Sequence, residues 1–425
     1  MDDLAVDVVV QVGPEDVLAG RLWSHRRRGG ESATFAYDPA YLGRSDAYDL
    51  EPALPRSRGA QQTADGRKIF GAFSDCAPDR WGRRLIARAE RRRVKSAGGA
   101  ERSFGEMDYL LGVRDDLRQG ALRFRDITSG TYLADEKTGV PPLVRLPKLL
   151  NAADRLERDE ASEDDLQALL RGGSSLGGAR PKAHILHPDG RAAIAKFPSA
   201  TDNWDVIRWE AVALTLARDA GIWVPGTTVE LADGKAVLIV DRFDRDGPQR
   251  TGYVSAMTML EASDGEHRSY VDIAEVIEVH SSETTRDLRQ LWRRVVFSIL
   301  ISNTDDHLRN HGFLRASSAG WSLSPAFDIN PDPSPGPKYL STAIDGVGDD
   351  PARLDPLMDL ASLFRLKEED ARRVVGEVSE ATARWPTVAK RVGLSAGEIE
   401  EMAPAFEHHE RARAKTLAAG ERLAT

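Results

Sequence analysis

Ser302-Asn303-Thr304-Asp305-Asp306-His307-Leu308-Arg309-Asn310 is a polar run with a dense supply of carboxylate, imidazole and amide groups. It follows a strongly apolar segment. From Thr285 to Ile301, Leu288, Leu291, Trp292, Val295, Val296 and Ile299 recur at helical spacing, which predicts a helix that becomes fully buried before it empties into the polar run. Inside the run, Asp305 and Asn310 show the D-x-x-x-x-N spacing in which the aspartate orients or deprotonates a hydroxyl and the asparagine binds magnesium. The spacing favours Asp305 over Asp306 as the base. Asp328, 18 residues after Asn310, stands where a second metal ligand is needed. Phosphoryl transfer is mostly the stabilisation of spread negative charge, and Asp305, Asn310 and Asp328 supply the anionic and oxygen ligands it requires.

Upstream lies the matching half of such a site. Gly172-Gly173-Ser174-Ser175-Leu176-Gly177-Gly178 carries four glycines in seven residues, so backbone amides can approach an anion closely. It matches neither a Walker A motif nor the dinucleotide fingerprint. Lys182 to His187 and Arg191 to Phe197 flank the Pro188-Asp189-Gly190 turn and read as a strand pair, with Lys196 at the end of the second strand, able to reach phosphates. A helix from Trp204 to Ala220, stopped by Gly221, places Glu210 on one face with Ile207, Leu214 and Ala217. A carboxylate at a buried edge needs a cation, and Lys196 is the obvious candidate. Strands at Thr227 to Leu231 and Ala236 to Val240 complete the order strand, strand, helix, strand, strand, linker, the layout of a kinase small lobe.

The chain before this region reads as short strands and turns, beginning with Val8-Val9-Val10-Gln11-Val12. A basic helical segment follows, with seven cations between Arg83 and Lys95 and Glu90 as its only acid. Asp154 to Asp165 is acidic and linker-like, with a capping pattern at Ser162-Glu163-Asp164-Asp165. These shifts divide the chain at 1–155, 156–250 and 251–425. The whole is α+β: a protein-kinase-like two-lobed fold with a mixed α/β N-terminal part and a mainly helical C-terminal lobe.

Composition narrows the alternatives. With 425 residues, 41% hydrophobic and 29% charged, the chain can bury several cores. One cysteine, Cys76, excludes an intrachain disulfide and a cysteine-rich zinc site. A net charge of −9 repels nucleic acid overall, so any contact with it is local. The apolar run Val295 to Ile301 is too short to span a bilayer, which needs about 20 residues. The acidic start Met1-Asp2-Asp3 is unlike a secretory signal, and a cytoplasmic setting without membrane contact is expected. His307 and His311 with Asp305 form a rival, metal-hydrolase reading. It leaves the glycine cluster, Lys196 and Glu210 unexplained, and His307 serves better as a hydrogen-bonding brace of the loop.

Beyond these motifs, the sequence resembles the HipA family of bacterial serine/threonine kinases, the toxins of toxin–antitoxin pairs. The resemblance rests on Pro78-Asp79-Arg80-Trp81-Gly82-Arg83-Arg84, Gly120-Ala121-Leu122-Arg123-Phe124, Gly177-Gly178-Ala179-Arg180-Pro181-Lys182, Ile194-Ala195-Lys196-Phe197-Pro198, Asp241-Arg242-Phe243-Asp244-Arg245, Ser255-Ala256-Met257-Thr258 and Asn303 to Asn310. It implies ATP with Mg2+ as cofactors. It places Gly177, Gly178, Ala179, Lys182, Lys196, Glu210 and His307 at the nucleotide, Asn310 and Asp328 at the metal, and Asp305 in catalysis. Ser175, with Ser174 adjacent, matches a serine whose autophosphorylation switches the family's enzymes off. The implied partners are a small HipB-like DNA-binding antitoxin, with DNA reached only through that complex, and a protein substrate; family targets include aminoacyl-tRNA synthetases. A different class of function is a pseudokinase that holds nucleotide and acts as co-repressor.

Overall fold

A strand covered on both faces needs a continuous apolar run, and Val6, Val8, Val9 and Val10 of β1 (Leu4–Val12) are all buried. In the computed structural model, which describes residues 4–27, 30–97, 103–134, 145–172, 180–317, 319–346 and 350–420, β1 is interior to a five-stranded sheet of order β4-β3-β2-β1-β5. The other strands are β2 (Glu15–Arg27), β3 (Gly30–Tyr37), β4 (Ala60–Gln62) and β5 (Leu122–Arg125). Phe35 and Phe124 of this sheet meet Phe73 at ring distances of 5.6 and 6.0 Å. Phe73 lies on α2 (Gly71–Asp75), which follows the single turn α1 (Pro39–Leu42).

The chain divides into two units. The first comprises Met1–Thr201, Leu231–Val254 and Leu314–Ser318. Besides the first sheet it holds α3 (Arg80–Ala97), α4 (Glu106–Gly112), α5 (Leu146–Glu157), α6 (Glu163–Arg171), β6 (Lys182–Leu186) and β7 (Ala192–Lys196). A second sheet has the order β6-β7-β9-β8, where β8 is Thr227–Ala232 and β9 is Lys235–Asp241. Strand alternation sends Ala183, Ile185, Ala193, Ala195, Phe197, Val237 and Ile239 into one core with Leu149, Leu156, Leu166 and Leu169 of the two helices and Trp81 and Leu85 of α3.

The acidic stretch from Asp154 to Asp165 is therefore no linker. Leu156, Ala161 and Leu166 are buried, and Asp165 serves two structural purposes, closing the capping box on Ser162 and accepting from Arg155 Nε at 2.8 Å. The basic face of α3 is likewise partly neutralised: Arg83 pairs with Glu106 at 2.6 Å and Arg88 with Asp159.

A buried ionic knot ties the exit of β9 to the segment leading into β5. Asp244 accepts from Arg242 at 2.6 and 2.8 Å, from Arg245 at 2.9 Å and from the Gly120 amide at 2.8 Å. Arg242 also donates to the carbonyls of Leu117 and Arg118. Gly120 has φ +76°, and a Cβ there would lie 3.2 Å from the Tyr253 amide nitrogen, so the close approach requires glycine.

The second unit, Asp202–Glu230, Ser255–Phe313 and Ala319–Thr425, is mainly helical. Its helices are α7 (Val206–Asp219), α8 (Ala256–Met259), α9 (Tyr270–His280), α10 (Thr284–Leu300), α11 (Leu354–Asp359), α12 (Glu368–Thr382), α13 (Trp385–Arg391), α14 (Ala396–Phe406) and α15 (His409–Ala418). The buried residues of α10 include every apolar position that defined its periodicity in the sequence. Trp385 stacks on Phe406 at 4.7 Å, and Trp209 of α7 lies 6.2 Å from both. Among the described residues, no helix is long and apolar enough to cross a membrane.

Candidate active site

In the second unit, α10 ends at Leu300 and the chain turns sharply through Ser302, a non-glycine residue with φ +54°. The Ser302 hydroxyl donates to the Ala405 carbonyl at 3.0 Å, and the Asn303 amide nitrogen returns to the Ser298 carbonyl at 2.8 Å. The polar run is thus held from both sides.

Asp305 and Asp306 then diverge. Asp306 is buried, and its carboxylate accepts from the Tyr270 hydroxyl at 2.6 Å and the Ser298 hydroxyl at 3.2 Å, with His311 Nε2 3.1 Å away. Burial alone would raise its carboxyl, but His311 and the two hydroxyls hold it below the usual range. Its carbonyl accepts from the Thr342 hydroxyl at 2.6 Å. Asp305 is exposed. Its carboxyl is raised, first because surrounding atoms displace part of its hydration and then because Asp328 and Asp306 repel its charge, against the attraction of His307. The structure thus brings Asp305 and Asp328 within electrostatic reach of one another.

Asn310 belongs to the same arrangement. It is buried on a short 3-10 turn, Leu308–Asn310, and its Nδ2 donates to the Asp305 carbonyl at 3.1 Å. That bond fixes the amide and directs its chemistry to Oδ1. The His307 amide nitrogen donates to the Asp305 carbonyl at 3.0 Å, so its backbone braces the loop. His307 Nδ1 is buried with no hydrogen-bond partner among the described residues.

Asp328 adopts φ +58°, a left-handed conformation that costs a non-glycine residue energy and persists only where the surroundings impose it. Here two bonds bracket it. The Ala326 amide donates to the Trp223 carbonyl at 2.8 Å, and the Asn330 amide donates to Asn303 Oδ1 at 3.2 Å. Asp328 and Asn310 are hard oxygen donors, and the repulsion between Asp305 and Asp328 is what a divalent cation would relieve. Among the described residues no three His, Cys, Asp or Glu side chains gather as a metal centre. One carboxylate plus one amide oxygen suits Mg2+, which keeps several waters and takes other ligands from phosphate.

Glu210, expected at a buried edge, is only 2% exposed on α7. Lys196 and Lys182 belong to the first unit. They stand directly opposite each other on β7 and β6, so both occupy the sheet face away from the core formed by Ala183 and Ala195. Lys196 is half-buried. Lys182 Nζ is 2.8 Å from the Asp79 carboxylate. His184, on that same face, is held well below its ordinary pKa by burial and then by Arg242. Gly177, Gly178, Ala179, Ser174 and Ser175 lie outside the described residues. Asp79, Asn303, Tyr270 and Thr342 are supporting residues that motif spacing did not single out. Asp79 and Asn303 sit inside stretches already marked by the resemblance, whereas Tyr270 and Thr342 carry no local signal.

Comparisons with known proteins show the family and the fold. Residues 10–112 match the family model described as HipA N-terminal domain, and residues 174–385 match the HipA-like C-terminal domain. A Haemophilus influenzae protein named "Putative kinase" is 23% identical over 185 residues, covering 37% of this chain and 52% of that protein. A Sinorhizobium fredii protein, "Putative kinase Y4dM", is 28% identical over 209 residues, covering 41% of this chain and 50% of that protein. The chain spans about half the length of these curated relatives. Among solved structures, a chain from the Shewanella oneidensis MR-1 toxin–antitoxin complex of HipA, HipB and operator DNA has a TM-score of 0.64 at 16% identity, covering 98% of this chain and 97% of that one.

Proposed function

Because the chain belongs to the HipA family, we propose that it is an ATP- and Mg2+-dependent serine/threonine protein kinase acting as the toxin of a toxin–antitoxin pair. The observation that carries this reading is the contrast inside one loop: Asp306 is enclosed and satisfied, while Asp305 is exposed, raised, and within the field of Asp328. A carboxylate left accessible on a braced loop can take the proton of an incoming hydroxyl. Asn310 Oδ1 and the Asp328 carboxylate are the groups that would hold Mg2+, which neutralises phosphate charge when bound. Lys196 is the cation assigned to the phosphates, with Gly177, Gly178 and Ala179 as the loop that covers them. Glu210 and His307 are assigned to support of the nucleotide site, and Ser175 to autophosphorylation.

The names of the curated relatives support kinase chemistry. The HipA, HipB and operator DNA complex supports a HipB-like antitoxin as partner, with DNA reached through it, consistent with the net charge of −9. A cytoplasmic translation component such as an aminoacyl-tRNA synthetase is the proposed protein substrate.

The test is transfer of radiolabelled γ-phosphate from MgATP by the wild type and by Asp328→Asn. Loss of labelling in the variant is expected. Labelling equal to wild type would overturn the reading, and nucleotide binding by the wild type without any transfer would favour the co-repressor alternative.

A further inference from the structure

The cations of α3 (Arg80–Ala97) fall into two groups. Arg83 donates to both oxygens of Glu106 at 2.9 and 2.6 Å, and Arg88 pairs with Asp159, so these two anchor the helix to the first unit. Arg80, Arg84, Arg91 and Lys95 are all exposed. At 3.6 residues per turn these four fall within an arc of about 60°, and at a rise of 1.5 Å per residue they form a stripe about 22 Å long. Among the described residues none of the four is paired with a carboxylate, and the Arg91 guanidinium bonds to its own helix at the Ala87 carbonyl.

Such a stripe works against its own helix. Arg80 and Arg84, like Arg91 and Lys95, are equal charges four residues apart, which repel on a helix surface. The first turn has no acidic residue and carries Arg80 and Arg83 at the end where the helix dipole is already positive. Folding stability does not account for that arrangement, whereas an anion laid along it does. The chemistry of the stripe also selects the anion. A protein partner needs apolar or aromatic anchors at the core of its interface. Among the described residues the exposed large hydrophobic side chains are Leu4, Trp223, Leu231, Val279, Tyr339 and Leu363, none of them on α3. A phosphate backbone needs only a row of cations. A duplex stays straight over the length of this row. A helix about 10–12 Å across fits the major groove of B-DNA and not the deep, narrow major groove of duplex RNA.

We propose that the face of α3 bearing Arg80, Arg84, Arg91 and Lys95 is a contact surface for the phosphate backbone of duplex DNA, independent of base sequence. The chain then adds contacts of its own to any DNA it is brought to. The net charge of −9 confines the contact to this helix, because the field of the whole chain repels the duplex. This inference goes beyond the kinase reading and does not depend on it: either can fail while the other stands.

The experiment is fluorescence anisotropy of a labelled, mixed-sequence DNA duplex of about 30 base pairs, titrated with the full chain at several salt concentrations. Each phosphate contact contributes about −0.9 to the slope of log affinity against log salt, so four give about −3.6, roughly a 100-fold loss between about 50 and 200 mM. The variant with Arg80→Gln, Arg84→Gln, Arg91→Gln and Lys95→Gln is expected to bind at least about tenfold more weakly at about 50 mM salt, with a slope near zero. A control with Arg289→Gln, Arg353→Gln, Lys367→Gln and Lys415→Gln, at exposed positions of the second unit, makes the same change in net charge. It is expected to keep the wild-type slope. The α3 variant is expected to melt at or above the wild-type temperature, since two repulsive pairs are gone. A lower melting temperature would give the stripe a structural role and overturn the proposal. So would a wild type that does not bind the duplex at low salt, an unchanged slope in the α3 variant, or an equal loss in the control. Equal competition by poly-L-glutamate of the same charge, or equal affinity for an RNA duplex of the same length, would overturn the assignment to DNA.

Discussion

Asp305 and Asp306 are adjacent in the chain, yet one carboxylate is open to solvent and the other is enclosed by Tyr270, Ser298 and His311. On the proposed reading, the pair divides chemistry from support. Removing the charge of Asp305 relieves its repulsion with Asp328, so Asp305→Asn should leave thermal stability unchanged or slightly higher while phosphotransfer falls at least about 100-fold. Asp306→Ala should instead cost about 3 kcal/mol of unfolding free energy, because it leaves buried donors without their acceptor. Chemical denaturation of both variants beside their transfer rates checks the division.

Glu51 gives a pH dependence with a defined sign. Its carboxylate is buried and accepts from the Ala72 amide, and burial, the dominant effect, pushes its pKa up to about 7 from 4.5. A group raised in the folded state contributes stability that is complete below its unfolded value and is lost as pH rises through the folded one. Stability from this residue should therefore decline between about pH 4.5 and pH 7. Glu51→Gln should flatten that decline and gain of order 2 kcal/mol relative to wild type at pH 8. Denaturant midpoints of the two proteins from pH 4.5 to 8 measure it.

Asp244 is the acceptor at the centre of the ionic knot formed by Arg242, Arg245 and the Gly120 amide. Asp244→Asn removes the charge that compensates two buried guanidinium groups and should cost about 3 to 5 kcal/mol. A loss below about 1 kcal/mol in denaturant unfolding would show that the knot contributes little to holding the exit of β9.

Divalent cation should act on stability through Asp328. Mg2+ at ten times its dissociation constant should raise unfolding free energy by about 1.4 kcal/mol over the protein in EDTA. In Asp328→Asn the shift should vanish. Melts with and without Mg2+ compare the two directly.

Much of the local structure was legible because apolar spacing determines it. The elements from Lys182 to Asp241 fall within a residue or two of the expected strands and helix, since alternation at Ala193, Ala195 and Phe197 and helical spacing at Ile207, Glu210, Leu214 and Ala217 each permit one burial pattern. The stretch from Asp154 to Asp165 was misread because its composition suggests solvation, while Asp165 is occupied by Ser162 and Arg155. The pairing of Asp79 with Lys182 and of Tyr270 with Asp306 was invisible, since each joins residues far apart in the chain through single side chains that leave no periodic trace. The left-handed backbone of Asp328 was equally hidden, because no local motif marks it. Spacing alone selects Asp305 over Asp306 as the base; the structure leaves Asp305 exposed and Asp306 buried.

On the proposed reading, Asp305 and Asp328 serve one and the same phosphoryl transfer. Pre-steady-state transfer rates of Asp305→Asn, Asp328→Asn and the protein carrying both changes test it, since groups that work as a unit lose function non-additively. The expected result is a doubly substituted protein no slower than the worse single variant. Losses that multiply, or a single variant that transfers phosphate as fast as wild type, would contradict it.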